Sequence, residues 1–257
     1  MKVQILGAHA LESVGTKFVS ILIDGVLALD TGAITHSLSL SEQEKIKAFL
    51  LSHSHADHIE GLASLGMHAF ITSTTIDVYG LPETITALKT HVFNNVIHPD
   101  FSRMPSAAKP SLRYHTITPG KTHNIEGYDV FACPVQHSVP TTGYQVTDKA
   151  GRSILYSGDT GPATISCWDN ISPDIVILDC AASDRWLKKG PALGHMTPGL
   201  LKSGLTEFYH QKGRLPPVIL IHMVPDEEEK IKEEVGEIAR ELNARIELGY
   251  EGMEFEL

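Results

Sequence analysis

Apolar residues fall in short runs punctuated by Gly, Pro, Asn and Asp, a pattern of many brief strands with helices between the later ones. Val3–Leu6 and Val19–Ile23 read as strands, and Val26–Leu29 as a third, turned from the second through Asp24-Gly25, a favoured two-residue hairpin turn. A polar stretch over Ser41–Lys47 reads as helical. The apolar run Ala48–Leu51 then reads as a buried strand that stops at Ser52-His53. A helix is expected at Ile59–Leu65, a strand at Ala69–Thr72, a helix at Ile76–Leu81 and another at Thr84–Phe93. The segment Asn94–Pro110, rich in Pro, Asn and Ser, reads as a long ordered loop or lid within 82–122. Strands follow at Arg113–Thr118, Tyr128–Val135, Thr142–Val146, Ser153–Tyr156, Ile175–Leu178 and Val218–Ile221. Helices are expected at Pro198–His210, with Thr197 as hydroxyl cap and Pro198 at the first helical position, and at Glu227–Leu242. The pattern implies an α/β or α+β chain read as one domain over 1–257, with two sheets face to face and helices outside.

Composition narrows the function. At 257 residues and 42% hydrophobic side chains the chain can bury a large core. No run approaches the roughly 20 apolar residues of a membrane span, and the first residues lack a signal-peptide pattern, so the expected compartment is the cytoplasm. The net charge of −10 disfavours a nucleic-acid polymer as partner. A small anion at a metal site remains compatible, because bound dications reverse the local sign. Cys133, Cys167 and Cys180 form no C-x-x-C pair and are expected as buried thiols.

The chemistry lies in the histidines. In His53-Ser54-His55-Ala56-Asp57-His58 the first two imidazoles, two residues apart in an extended segment, project to one side, and Asp57-His58 begin the turn into a helix. Imidazole with carboxylate suits Zn²⁺, Mn²⁺ or Fe²⁺. One ion cannot comfortably take four groups from so short a loop, so two adjacent ions with a shared ligand fit better. His137, Asp159 and His222 share one context, just past a predicted strand, and complete the set. Each has an ordinary alternative: a strand-end histidine is often structural, and Asp159 in Gly-Asp-Thr-Gly suits a turn.

The order LDTG with Asp30, HSHADH, His137, YSGDTG with Asp159 and LIHM with His222 resembles the metallo-β-lactamase superfamily from Asp30 to His222. That resemblance implies a four-layer αββα sandwich of two mixed sheets with a dinuclear site. One ion would take His53, His55 and His137, the other Asp57, His58 and His222, with Asp159 bridging. Asp30 would orient the ligand loop rather than bind metal; otherwise it is an ordinary strand-to-turn aspartate. The diiron oxygen-reducing branch typically has Glu where this chain has His55, which favours hydrolysis.

Further stretches, THVFNNVIHPDFS over 90–102, VQHSVPTT over 135–142 and ALGHMTPG over 192–199, are similar to the class II 3′,5′-cyclic-nucleotide phosphodiesterases. Met196 and His98 depart from that pattern. The resemblance implies opening of cAMP or cGMP to the 5′-nucleotide by metal-bridged hydroxide attack. His195 would act as phosphate ligand or proton donor and Asp57 as a proton shuttle; the bland role for His195 is support of the following helix start. Asn94, Asn95, Phe101 and Arg103 offer amides, a stacking face and a cation to a nucleotide, unless their segment is plain surface loop. The rival functions are a tRNA 3′-processing nuclease, although no basic arm is evident, a lactonase or thioesterase, and a non-catalytic nucleotide or metal sensor. A homodimer is the ordinary guess for this fold.

Overall fold

The computed structural model describes residues 1–161, 169–187 and 194–257. The chain opens as an antiparallel meander of β1 (Lys2–Gly7), β2 (Ser20–Ile23) and β3 (Leu27–Leu29). Asp24 and Gly25 both adopt positive φ, 48° and 72°, in the β2–β3 turn, the conformation a primed hairpin turn requires. Short helices α1 (Ile34–Ser37) and α2 (Leu40–Gln43) lead to β4 (Ala48–Leu50), then α3 (Ala56–Ile59), α4 (Leu62–Ile71), β5 (Ile76–Gly80) and α5 (Pro82–Ala87). After a small hairpin of β6 (Pro105–Ser106) and β7 (Lys109–Pro110), β8 (Leu112–Thr116) closes the parallel edge of the first sheet.

The second sheet takes β9 (Thr122–Ile125), β10 (Tyr128–Pro134), β11 (Thr142–Thr147), β12 (Ser153–Tyr156) and β13 (Ile175–Asp179). Helix α6 (Pro198–Lys212), β14 (Val218–Ile221), helix α7 (Glu228–Leu242) and β15 (Ile246–Leu248) follow, while β16 (Met253–Glu256) returns to pair with β1. Among the described residues the sheets run β16-β1-β2-β3-β4-β5-β8 and β15-β14-β13-β12-β11-β10-β9, each antiparallel in one half and parallel in the other.

Alternation explains why the central strands are apolar on both faces. In β14, Ile219 and Ile221 enter the core between the sheets, whereas Val218 and Leu220 face the layer of α6 and α7. In β4, Ala48 and Leu50 join the inter-sheet core and Phe49 the layer of α4 and its neighbours. A strand buried on both faces reads as a continuous apolar run. Three cores thus stack across four layers, giving the expected αββα sandwich. No described helix is long and apolar enough to cross a membrane.

Several expectations are corrected. Ala69–Thr72 is not a strand: α4 runs to Ile71, burying Leu62, Leu65, Gly66 and Ala69 at helical spacing. Ile76–Leu81 is not a helix: β5 buries Ile76, Val78 and Gly80 in alternation. The helix expected over Thr84–Phe93 starts at Pro82 and passes into a π-helical turn at Leu88–Val92. The helix expected over Ser41–Lys47 shrinks to α2, started by a capping box of Ser39 and Glu42. Thr197 occupies the cap position of α6 but makes no side-chain cap bond; Asp184, distant in sequence, accepts from the Gly199 amide at 2.8 Å instead. Cys133 is disulfide-bonded rather than a free thiol, because folding joins cysteines that spacing does not pair; Cys180 is the buried free thiol, and the expectation for Cys167 lies outside the described residues.

The segment 94–110 is ordered by its own polar groups and anchored by Phe101, which is 1% exposed. Phe101 lies edge-on to Phe93 and so close to α4 that a Cβ on Gly66 would meet its ring at 2.5 Å. Truncation of a buried phenylalanine costs about 3–5 kcal/mol. Phe101→Ala is therefore expected to destabilise the protein by about that amount in denaturant titration; a cost under about 1 kcal/mol would show that the loop is not anchored there.

Candidate metal centre

The site residues gather where strands end. Asp30 follows β3, His53 and His55 follow β4, His137 follows β10, Asp159 follows β12 and His222 follows β14. Because β12, β13 and β14 are mutually parallel, their carboxyl ends share one edge, as do those of β3 and β4. His55 is the residue before α3, so Asp57 and His58 lie on that helix's single turn. Gly158, at φ 61°, brings the β12 loop so near the β4 loop that a Cβ there would sit 2.8 Å from that of Ser52.

Three groups have ligand-type atoms within 4.8 Å of one another: His53, His55, His137 with Asp159; Asp57, His58, His222 with Asp159; and Asp159, Asp179, His195 with His222. Asp159 belongs to all three. His53 Nε2 and His137 Nε2 lie 3.6 and 3.7 Å from its Oδ2, His222 Nε2 lies 3.4 Å from the same atom, and His58 Nε2 is 3.1 Å from Oδ1. His55 Nδ1 meets His137 Nε2 at 3.2 Å. The seven expected ligands converge, in the grouping the resemblance implies.

Neighbours orient the rings. Asp30 Oδ1 accepts from the Ser52 amide at 2.7 Å, while Oδ2 accepts from Ser52 Oγ at 2.7 Å, His58 Nδ1 at 2.7 Å and Tyr156 Oη at 2.5 Å. Ser52 Oγ also meets His53 Nδ1 at 2.9 Å. Both rings are thereby held by Nδ1 with Nε2 turned to the centre, and His137 is held likewise through Nδ1 on the Gly194 carbonyl at 2.9 Å. His195 Nδ1 lies 2.9 Å from Asp179 Oδ2, which also accepts from the Thr160 amide. Asp30 and His222 both hold positive φ, 55° and 62°, a strained choice for residues with side chains.

Burial and charge act in opposition here. Burial holds the His53 pKa well below the ordinary imidazole value. Burial also opposes charge on His58, but Asp159 and Asp30 outweigh it and raise its pKa well above that value. His222 is pushed up to about 10, its burial overcome by Asp159, Asp179 and Asp57. At His195 burial is likewise outweighed, chiefly by Asp179, and the pKa rises.

The donor set fits divalent metal. His53 Nε2 is buried without a hydrogen-bond partner, and His58 Nε2 and Asp159 Oδ1, 3.1 Å apart, form no aligned hydrogen bond, although each buried polar atom costs roughly 1–3 kcal/mol if left so. A cation among them would satisfy all three, and imidazole with carboxylate suits the zinc, manganese and iron ions. His/Asp clusters able to bind metal ions are thus present.

The structure does not bring Asn94, Asn95, Phe101 and Arg103 to this centre. Asn94 caps its own turn at the Val96 and Ile97 amides, Asn95 Oδ1 accepts from the Asp100 amide, Phe101 is core, and Arg103 is an exposed partner of Asp100. What sequence reasoning missed is Asp179, Ser52 and Tyr156. Asp179 ends a strand just as the expected ligands follow theirs, and that context was its available signal.

Replacing a group that orients metal ligands lowers metal affinity about 10–100-fold. Asp30→Ala is expected to weaken binding by that factor in competition with a chromophoric chelator; unchanged affinity would mean the ligand loop holds itself.

A family profile described as the beta-lactamase superfamily domain matches residues 20–223. A 3′,5′-cyclic-nucleotide phosphodiesterase of Aliivibrio fischeri is 24% identical over 231 residues, 72% of this chain and 67% of that protein. A ribonuclease Z of Mycobacterium sp. (strain KMS) is 30% identical over 131 residues, 46% of this chain and 44% of that protein, so the chain spans less than half the length of this relative. The crystal structure of unliganded yeast PDE1 superposes with a TM-score of 0.83 at 20% identity, covering 100% of this chain and 99% of that one. The chain belongs to the beta-lactamase superfamily domain family and has the metallo-β-lactamase fold.

Proposed function

We propose that the protein hydrolyses 3′,5′-cyclic nucleotides to 5′-nucleotides with two Zn²⁺, Mn²⁺ or Fe²⁺ ions in the His/Asp centre. The observation that carries this reading is a cleft of about 690 Å³ beside His137, of a size that suits a small molecule. Among the described residues lining it there is no lysine or arginine. A polynucleotide needs cations along its backbone, and the chain carries a net charge of −10. A mononucleotide needs its single phosphate at the centre and leaves its base to the cleft. The alignment over 72% of the chain with a cyclic-nucleotide phosphodiesterase, against 46% with a ribonuclease Z, supports the same choice.

Divalent ions held by His53, His55 and His137 and by Asp57, His58 and His222, with Asp159 shared, would neutralise phosphate charge and lower the pKa of the attacking water. The chain itself handles the protons. Asp57, half-buried at the edge of the centre, receives the proton that water gives up as its oxygen bonds to phosphorus. His195, its Nδ1 fixed on Asp179, donates from Nε2 to the 3′ oxygen as the P–O3′ bond breaks. One proton is taken and one supplied, and a 5′-monophosphate with a free 3′ hydroxyl leaves.

Protein reconstituted with Mn²⁺ or Zn²⁺ is expected to release 5′-nucleotide from cAMP or cGMP, to lose that activity on chelation and to leave a tRNA precursor uncut. Cleavage of bis-p-nitrophenyl phosphate alone would preserve the dimetal hydrolase and reject the cyclic nucleotide. His195→Ala should retain metal and lose kcat by about 10²–10⁴. Full turnover in that variant would remove His195 from the mechanism.

A further inference from the structure

The cleft beside His137 is chemically uneven. Leu81, Pro82, Ile117, Pro119, Val139 and Pro140 give it apolar walls, and Glu83 is the one carboxylate among its described lining residues. Glu83 is exposed, in the first turn of α5, and no ion pair or hydrogen bond to its side chain is seen among the described residues. Apolar walls suit the faces of a heterocycle. A carboxylate selects the edge, because it only accepts hydrogen bonds.

We infer that this cleft seats the base of the substrate and that Glu83 selects guanine. The inference rests on the cyclic-nucleotide reading above and deepens it. Guanine presents two neighbouring donors, N1–H and the N2 amino group, which two carboxylate oxygens accept side by side, the charge-assisted bidentate arrangement. Adenine presents one amino donor beside the N1 lone pair, which a carboxylate repels. Uracil has a single N–H between two carbonyls, and cytosine an amino group beside an acceptor nitrogen. Of the four bases, guanine alone matches an acceptor pair. His137 links the two halves of the site, since it lines the cleft and also reaches the ligand cluster. A nucleotide with its phosphate at the cluster can therefore extend its base along the wall that bears Glu83. Asn94, Asn95, Phe101 and Arg103 then have no part in reading the base.

The test compares wild type with Glu83→Gln, both reconstituted with Mn²⁺. The first readout is the ratio of kcat/KM for cGMP to that for cAMP; the second is calorimetric binding of 5′-GMP and 5′-AMP, which does not depend on turnover. A good bidentate contact discriminates by roughly 10- to 100-fold. Wild type is expected to prefer the guanine ligand by that factor in both readouts, and Glu83→Gln to bring both ratios near one. A merely structural role, such as support of the start of α5, would weaken both nucleotides equally and leave the ratios unchanged, which would overturn the inference. Preference of the wild type for adenine would overturn it as well. If neither cyclic nucleotide is hydrolysed, the cyclic-nucleotide reading fails by itself, and the GMP-to-AMP binding ratio still decides whether Glu83 reads guanine.

Discussion

One buried carboxylate ties the centre to the fold. Asp30 is fully buried and accepts four hydrogen bonds, from the Ser52 amide and hydroxyl, His58 and Tyr156. Two of these donors belong to Ser52 in the loop after β4, the third to His58 on α3, and the fourth to β12 of the opposite sheet. A carboxylate out of water is costly unless its oxygens are satisfied. The same bonds that meet that cost fix the loop geometry, aim His58 Nε2 and, through Ser52, His53 Nε2, and pin one sheet to the other at the edge where the site forms. The positive φ of Asp30 is what aims its side chain inward from the end of β3. A strained backbone conformation persists where surrounding contacts over-determine it, and here they do.

The second sheet has a counterpart in Asp179, also fully buried. It engages His195 through Oδ2 and lies 3.4 Å from His222 Nδ1 through Oδ1. Each sheet thus supplies one carboxylate that touches imidazoles from behind, and the reacting space lies between. The difference is exposure. His58, tied to Asp30, is fully buried, whereas His195 keeps 21% of its side chain accessible. That asymmetry leaves the His58 ring enclosed and the His195 ring open to solvent.

The candidate ligand set was legible in the sequence because most of its members follow a segment with an unmistakable apolar run, Asp57 and His58 come one turn later on α3, and strand ends on a parallel edge must converge. Asp179 escaped because its one signal in sequence, a strand end, is shared by ordinary turn aspartates, and only the fold sets it against His195 and His222. The layers were legible for the same reason as the ligands, since continuous apolar strands need cover on both faces. The errors came where local composition competes with tertiary burial. Ala69–Thr72 carries β-favouring residues, yet Leu62, Leu65, Gly66 and Ala69 make one helical stripe against the sheet. In 94–101 the amides and the ring looked like recognition groups, but the asparagines are spent on turns and Phe101 on the core. Glu83 carried no signal at all, because a lone glutamate near a helix start is ordinary until the walls around it are known.

Charge balance links these parts of the site. Asp30, Asp57, Asp159 and Asp179 meet six imidazoles, those of His53, His55, His58, His137, His195 and His222. With all six rings neutral, the four carboxylates sum to −4, which two divalent ions would match at +4. Protons can supply part of that compensation instead, and the rings pushed toward the charged form, His58, His195 and His222, are those pressed against two or more carboxylates. A cation and a proton therefore compete for the same nitrogens. Binding metal must release protons, so apparent metal affinity rises as pH rises. His53 needs no such displacement, since burial already keeps it neutral with Nε2 open toward Asp159. The centre is thus graded, with a ring that is ready for metal on one side of Asp159 and rings that must first give up protons on the other.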